Sequence, residues 1–357
     1  MKKYTKLVVL LITIAICYIA SVSDIGGAMG IKKENALYNR LLKSEKEKGW
    51  KMLTQTGERV EPSYKELFEI CSFDFKNNKK IDIPLYKAGE WGLKNITYAL
   101  SPDGKDIAFV ISDVDVANKT YNSLYSLCLL HIEKGEIETI FPSQQFPRIN
   151  SVSYAPNGED IFFVGKLEYV EEASGRIPQF DSLYKLNLQT KEITEMVKFG
   201  VGAINAQSCS ADGKKIVYES SNIQEIYVYD STSKSSYKLA DGVWPTWSPT
   251  DKIIAFYGLD ENYYLINPDG TNKKLFINNE PLSKKQDMPK GGAGECIDKI
   301  YGELLWSPDG KYIYFERAAV DSPVADTEYY IAYIMDVETK QEIRFPASGI
   351  KSWVGQE

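Results

Sequence analysis

Histidine is almost missing from this chain. Of 357 residues, only His131 carries an imidazole. That excludes metal sites built from several histidines and leaves a Ser-His-Asp triad one candidate base. His131 lies in LCLLHIEKGE, a strand-like segment running into a turn, and reads as an ordinary strand residue. Cysteine is scarce too. Cys17, Cys71, Cys128, Cys209 and Cys296 show no C-x-x-C spacing, which removes the common zinc and dithiol motifs. Cys17 sits in an N-terminal apolar run; the other four read as buried free thiols, with a disulfide through Cys296, in a loop, as the alternative. No basic patch with interleaved aromatics occurs, and the net charge is −7, so nucleic acid is excluded as a partner. No apolar run reaches the roughly 20 residues of a comfortable membrane-spanning helix.

What is abundant is a repeat. SPDGKDIAFV begins at Ser101, APNGEDIFFV at Ala155, SADGKKIVYE at Ser210, SPTDKIIAFY at Ser248 and SPDGKYIYFE at Ser307. Proline presets the turn and Asp-Gly supplies its left-handed position. After the turn, Ile107, Ile161, Ile216, Ile254 and Ile313 share one position. Two residues later stand Phe109, Phe163, Tyr218, Phe256 and Phe315. Period-two alternation of β-branched and aromatic residues predicts a half-buried strand, and the Asp residues are turn formers rather than catalytic groups.

Each unit carries four strand-like pieces. The first precedes the turn (ITYAL, SVSYA, NAQSC, WPTW, ELLW) and the second follows it. The third holds an aliphatic-aromatic pair: Leu124-Tyr125, Leu183-Tyr184, Ile226-Tyr227, with variants Tyr263-Tyr264 and Ala332-Tyr333. The fourth follows another short turn (EIETIF, EITEMV, SSYKLA, KKLF, QEIRF). Four antiparallel strands repeated radially make a propeller blade. Five full units run from about 93 to 346. LFEICSFDF and KKIDIPLY match the third and fourth strands of another, and GIKSWV near the C-terminus matches a first strand. The expected fold is an all-β, six-bladed propeller, with N- and C-terminal strands sharing the closing blade and removing open edges. Residues 50–60 are the candidate for its second strand.

The repeat [SA]-P-D-G-K-x-I-x-[FY], preceded by Trp in two units, resembles the WD40-like PD40 repeat of TolB-type propellers. ENYYLINPDGTNKKLF, residues 261–276, is similar to that family's third-to-fourth strand unit. The resemblance covers about 67–354. It implies the propeller fold and peptide or protein ligands entering the central channel. It does not extend to the separate α/β domain of TolB proteins, or to the α/β-hydrolase domain and G-x-S-x-G elbow of propeller peptidases. Fold alone does not assign function.

Residues 1–23 place Lys2, Lys3 and Lys6 before LVVLLITIAICYIAS, with Ser21 and Ser23 at the small-residue positions of a cleavage site before Asp24. This is the pattern of a secretory signal; an uncleaved anchor through residues 7–22 is the alternative. Cleavage takes the net charge from −7 to −10, since the leader holds three lysines and no acid. Residues 24–63 read as a polar spacer with a short helix, and 64–357 as the propeller.

Propeller topology sorts the loops by face. The S-P-D-G turns and the third-to-fourth turns are short and lie on one face. The long insertions 112–122, 165–181, 277–303 and 317–328 lie on the other, and such loops concentrate binding function. The predicted ligand face therefore comprises Asp113, Asp115, Tyr121, Glu168, Tyr169, Phe180, Asp181, Lys284, Lys285, Tyr301, Asp321 and Asp326. Its acids suit a cationic partner. DVD at 113–115 lacks the glycine and distant Glu of a calcium loop, and GGAG at 291–294 lacks the G-K-[ST] of a phosphate loop. Trp247, Trp306 and Trp353 recur beside the turn and read as inter-blade packing, not as a sugar platform. Trp91 and Trp244 stand outside the repeat, near a channel opening.

The expected function is a monomeric, extracytoplasmic, non-enzymatic module that binds a protein or peptide, with no cofactor and no metal. A propeller lyase or hydrolase acting on a polysaccharide or peptide is one alternative. A membrane-anchored ligand sensor is the other.

Overall fold

A computed structural model describes residues 50–60, 63–74, 79–87, 97–115, 120–146, 148–166, 182–198, 204–220, 223–250, 252–282, 296–300, 302–320, 328–345 and 349–355. The strands run in chain order as follows. β1 (Lys51–Val60), β2 (Ser63–Asp74) and β3 (Lys79–Lys87) come first. They are followed by β4 (Tyr98–Leu100), β5 (Asp106–Asp115), β6 (Thr120–His131) and β7 (Glu136–Phe146). Next are β8 (Arg148–Tyr154), β9 (Asp160–Lys166), β10 (Ser182–Asn187) and β11 (Ile193–Val197). Then come β12 (Ile204–Cys209), β13 (Lys215–Ser220), β14 (Glu225–Asp230) and β15 (Ser235–Asp241). After these stand β16 (Val243–Trp247), β17 (Ile254–Tyr257), β18 (Tyr263–Ile266) and β19 (Lys274–Ile277). The last are β20 (Cys296–Ile300), β21 (Leu305–Trp306), β22 (Tyr312–Val320), β23 (Glu328–Asp336), β24 (Glu342–Phe345) and β25 (Ile350–Val354).

The described residues form an all-β propeller of four-stranded antiparallel blades. Their sheets have the orders β4-β5-β6-β7, β8-β9-β10-β11, β12-β13-β14-β15 and β16-β17-β18-β19. A further sheet is β20-β22-β23-β24, with the short β21 also paired to β22. The last is β25-β1-β2-β3, built from both ends of the chain. The innermost strands touch in a closed cycle: β4 meets β8, β8 meets β12, β12 meets β16, β16 meets β21, β21 meets β25, and β25 returns to β4. Residues 51–60 are the second strand of the shared sheet, with Met52 opposite Trp353 on one side and Cys71 on the other. They belong to the sheet and not to a polar spacer. Trp50 packs edge-on against Trp353 at 5.1 Å and Tyr312 at 6.0 Å, which ties this sheet to its neighbour.

The repeated Ile and aromatic positions are buried, as expected, but so are the residues between them. Ala108, Phe162, Val217, Ala255 and Tyr314 are all at most 3% exposed. The second strand is therefore buried on both faces, not half-buried. Blades stack face to face around the ring, so a mid-blade strand has no solvent side. The third strand adds a ladder of ring pairs. Phe163–Tyr184, Tyr218–Tyr227, Phe256–Tyr264 and Phe315–Tyr333 are stacked cross-strand partners at 5.2 to 5.7 Å. The first full unit departs from this pattern. Cys128 stands opposite Phe109, and Tyr125 lies three residues away opposite Ser112. Its hairpin is longer, which shifts the sequence match out of register.

The turn chemistry explains the serine that opens four of the five repeats. Ser101, Ser210, Ser248 and Ser307 are at most 3% exposed. Ser307 Oγ accepts the Tyr312 amide at 2.9 Å and donates to Asp309 Oδ1 at 2.8 Å. Ser101 and Ser210 repeat both bonds. Gly104, Gly158, Gly213 and Gly310 take φ of 68–70°, the left-handed position that requires glycine. His131 ends β6 and is held by Asp106, with Nδ1 2.7 Å from Oδ1; Nε2 lies 3.7 Å from Glu138. Trp247, Trp306 and Trp353 are 4–5% exposed and sit in three separate inter-blade cores, as packing residues.

Candidate functional site

The innermost strands enclose a cavity of about 840 Å³ on the ring axis. Strand alternation decides what faces it. Leu100, Trp247, Trp306 and Trp353, at or near the ends of their inner strands, pack into inter-blade cores. The residue before each also borders the cavity. That position holds Ala99, Ser153, Ser208, Thr246, Leu305 and Ser352, all half-buried and all lining the cavity. Small and hydroxylated side chains there keep the channel open. The hydroxyls also stitch neighbouring inner strands: Ser208 Oγ accepts the Trp247 amide at 2.9 Å, and Thr97 Oγ1 accepts the Val152 amide at 3.2 Å.

One end of the cavity is formed by the repeat itself. Pro102, Pro156, Ala211, Pro249 and Pro308, the second residues of the repeated turns, line it together with Gly355. The face expected to be plain is thus one rim of the axial cavity. Beside it, burial pushes the Tyr154 hydroxyl far above its usual range, and the Asp106 and Asp103 carboxylates reinforce the shift.

The channel wall is nearly uncharged. Glu303 is the only formally charged residue among the described residues that line it. It is exposed and stands three residues before Trp306, just ahead of β21. The equivalent position one blade earlier is Trp244. This residue has φ of 53°, an outlier for so bulky a side chain. Its amide donates to the buried Glu219 carboxylate at 2.5 Å, and its ring lies 5.3 Å from Tyr257. Tyr257 in turn meets Tyr263 edge-on at 4.9 Å. Tyr263 donates to the Gly302 carbonyl at 2.7 Å. Burial holds the Tyr263 hydroxyl far above its usual range, Tyr257 and Glu303 add to the rise, and Arg317 opposes it. Trp244, Tyr257 and Tyr263 therefore form one aromatic cluster, and the Tyr263 hydroxyl ties it to Gly302 ahead of the next blade's inner strand. Nearby, Lys299 bonds Glu261 at 2.6 Å. Arg317, 3% exposed, lies 3.5 Å from Glu342.

The predicted ligand-face residues are placed as follows. Asp113 and Asp115 lie in β5, opposite Leu124 and Thr120, and Tyr121 lies in β6. Most of 112–122 is thus a lengthened hairpin rather than a loop. The described ends of the 317–328 insertion, 317–320 and Glu328, are strand, with Val320 paired to Glu328, and 321–327 lie outside the described residues. Cys296 opens strand β20 rather than lying in a loop. Glu168, Tyr169, Phe180, Asp181, Lys284, Lys285, Tyr301, Asp321 and Asp326 lie outside the described residues, as do Trp91 and residues 1–49. Among the described residues no helix is long and apolar enough to cross a membrane. The axial lining was missed from sequence. Its signal is a Ser or Thr just before a larger or Cys residue near the end of the first strand, as in Ser153-Tyr154, Ser208-Cys209, Thr246-Trp247 and Ser352-Trp353.

No protein-family model matches the chain, and no curated protein is similar to it. Solved structures are similar. TolB from Acinetobacter baumannii aligns with a TM-score of 0.56 at 14% identity, over 85% of this chain and 66% of that one. A TolB-designated protein from Agrobacterium tumefaciens aligns with a TM-score of 0.52 at 14% identity, over 86% of this chain and 90% of that one. This chain thus spans about two thirds of the Acinetobacter protein. At such identity the likeness speaks for the fold. The chain has a β-propeller fold similar to the propellers of these TolB structures.

Proposed function

We propose that this chain is a non-enzymatic, extracytoplasmic propeller that takes a peptide or an extended segment of a protein into its central channel. One observation carries the reading: the closed cycle of inner strands leaves an axial cavity of about 840 Å³ walled by small and hydroxylated side chains. That volume is within the range of small-ligand sites and admits several residues of extended chain. The six sheets act as six blades of one monomeric ring closed by both ends of the chain. The leader at 1–23 exports the chain, with cleavage before Asp24, and the lengthened hairpins and loops of the far face add contacts around the second mouth.

The test is a random-peptide display selection on wild type and on Thr246→Trp, which fills the channel from its wall. Binding in the channel predicts enriched peptides on wild type that fail to bind the variant, at unchanged far-ultraviolet circular dichroism. Peptides that bind both proteins equally move the site off the axis.

A further inference from the structure

The channel wall has a composition that the chain as a whole does not share. Charged residues make up 25% of the sequence, so a wall of this size would ordinarily carry several. Among the described lining residues Glu303 alone is formally charged, and it is exposed. The repeat brings charges close to the rim but ties them up within its own turns. Asp103 accepts the Ser101 hydroxyl at 2.7 Å and the Lys105 amide at 3.1 Å, and Lys105 Nζ lies 3.2 Å from the same carboxylate. Asp212 accepts the Ser210 hydroxyl at 2.7 Å and the Lys214 amide at 3.0 Å, with Lys214 Nζ at 3.8 Å. None of these four charged residues lines the cavity. The wall offers hydroxyl groups instead. Ser153, Ser208 and Thr246 line it from β8, β12 and β16, three inner strands that touch in that order. Ser208 and Thr97 each accept an inner-strand amide and keep an O–H that can be given to a carbonyl. Such a wall can hydrogen-bond the backbone of an extended segment, but it gives a charged side chain no opposite charge. A charge taken out of water without a partner loses more solvation than it regains.

We infer that the channel selects extended segments with uncharged side chains and rejects those carrying Asp, Glu, Lys or Arg. The inference rests on the channel reading above and adds the class of peptide that the channel takes.

The probes are the display-selected peptides that bind wild type and fail on Thr246→Trp. Each is resynthesised with single exchanges to a charged residue or to its neutral counterpart of similar shape: Asp against Asn, and Lys against norleucine. Fluorescence anisotropy reads the affinity. Within the segment held by the channel, each charge is expected to weaken binding about tenfold or more relative to its neutral counterpart. Outside that segment the pairs are expected to bind alike. Leu305→Asp, with its fold checked by circular dichroism, puts a charge on the wall and is expected to reverse the norleucine-over-Lys preference, which a steric effect of the lysine would not allow. Charged peptides that bind as tightly as their neutral counterparts at every position, or an unchanged preference in Leu305→Asp, would overturn the charge selection and leave the channel reading standing. A selection that yields no peptide distinguishing wild type from Thr246→Trp would overturn the channel reading, and the charge selection with it.

Discussion

At the residue scale, the repeated serine is structural, and its hydrogen bonds show why. Its hydroxyl accepts an amide of the next strand inside the protein, so Ser307→Ala leaves a buried N–H without its partner, at about 1–3 kcal/mol. The expected outcome is a lower melting temperature with channel binding intact at low temperature, measured by thermal denaturation. The neighbouring aspartates add a pH dependence. The Lys214 amide and then the Ser210 hydroxyl hold the Asp212 carboxyl below its usual range, as the Thr232 and Ser233 amides do for Asp230. A depressed carboxyl stabilises the fold above its unfolded value of about 4. That contribution is lost as pH falls through the lower folded value. Denaturant titrations between pH 5 and 2 should show stability falling with acid, and Asp212→Asn should make the fall shallower. A fall of identical slope in the variant would remove Asp212 from the account.

At the element scale, much was legible. Five copies of Ile-x-aromatic fixed the second strands, and short turns spaced the third and fourth. LFEICSFD and IKSWV took the places in one sheet that their match to the repeat implied, and the candidate stretch 51–60 lies between them. What could not be read was set by neighbours in space. Burial of Ala108 and Val217 comes from the adjacent blade, which no local alternation reveals. The three-residue offset of Tyr125 depends on how far a hairpin extends before it turns. The channel wall escaped notice because Ala99, Ser153 and Leu305 share a position, not a chemistry. The shared sheet makes a direct prediction. Trp353 is 5% exposed and packs on Trp50 across β25 and β1. Trp353→Ala should cost about 3–5 kcal/mol, and deletion of 348–357 should cost more, since it also opens the inner cycle. Thermal stability unchanged by the deletion would refute closure by both ends.

At the scale of the whole molecule, the repeat and the site are less separate than sequence alone implies. The loops that do not repeat gave the predicted ligand face, yet the described cavity is rimmed by Pro102, Pro156, Pro249 and Pro308 from the repeat. Repetition produces the channel because equivalent inner strands meet around one axis. Individuality enters where the repeat is broken, at Trp244 and Glu303. The measurement that bears most directly on this account is photocrosslinking of a display-selected peptide. A benzophenone amino acid replaces Leu305 on the channel wall in one protein and Tyr237, 37% exposed on the outer strand β15, in another. The account predicts a peptide adduct from position 305 and none from position 237. Adducts from 237 with none from 305 would contradict it.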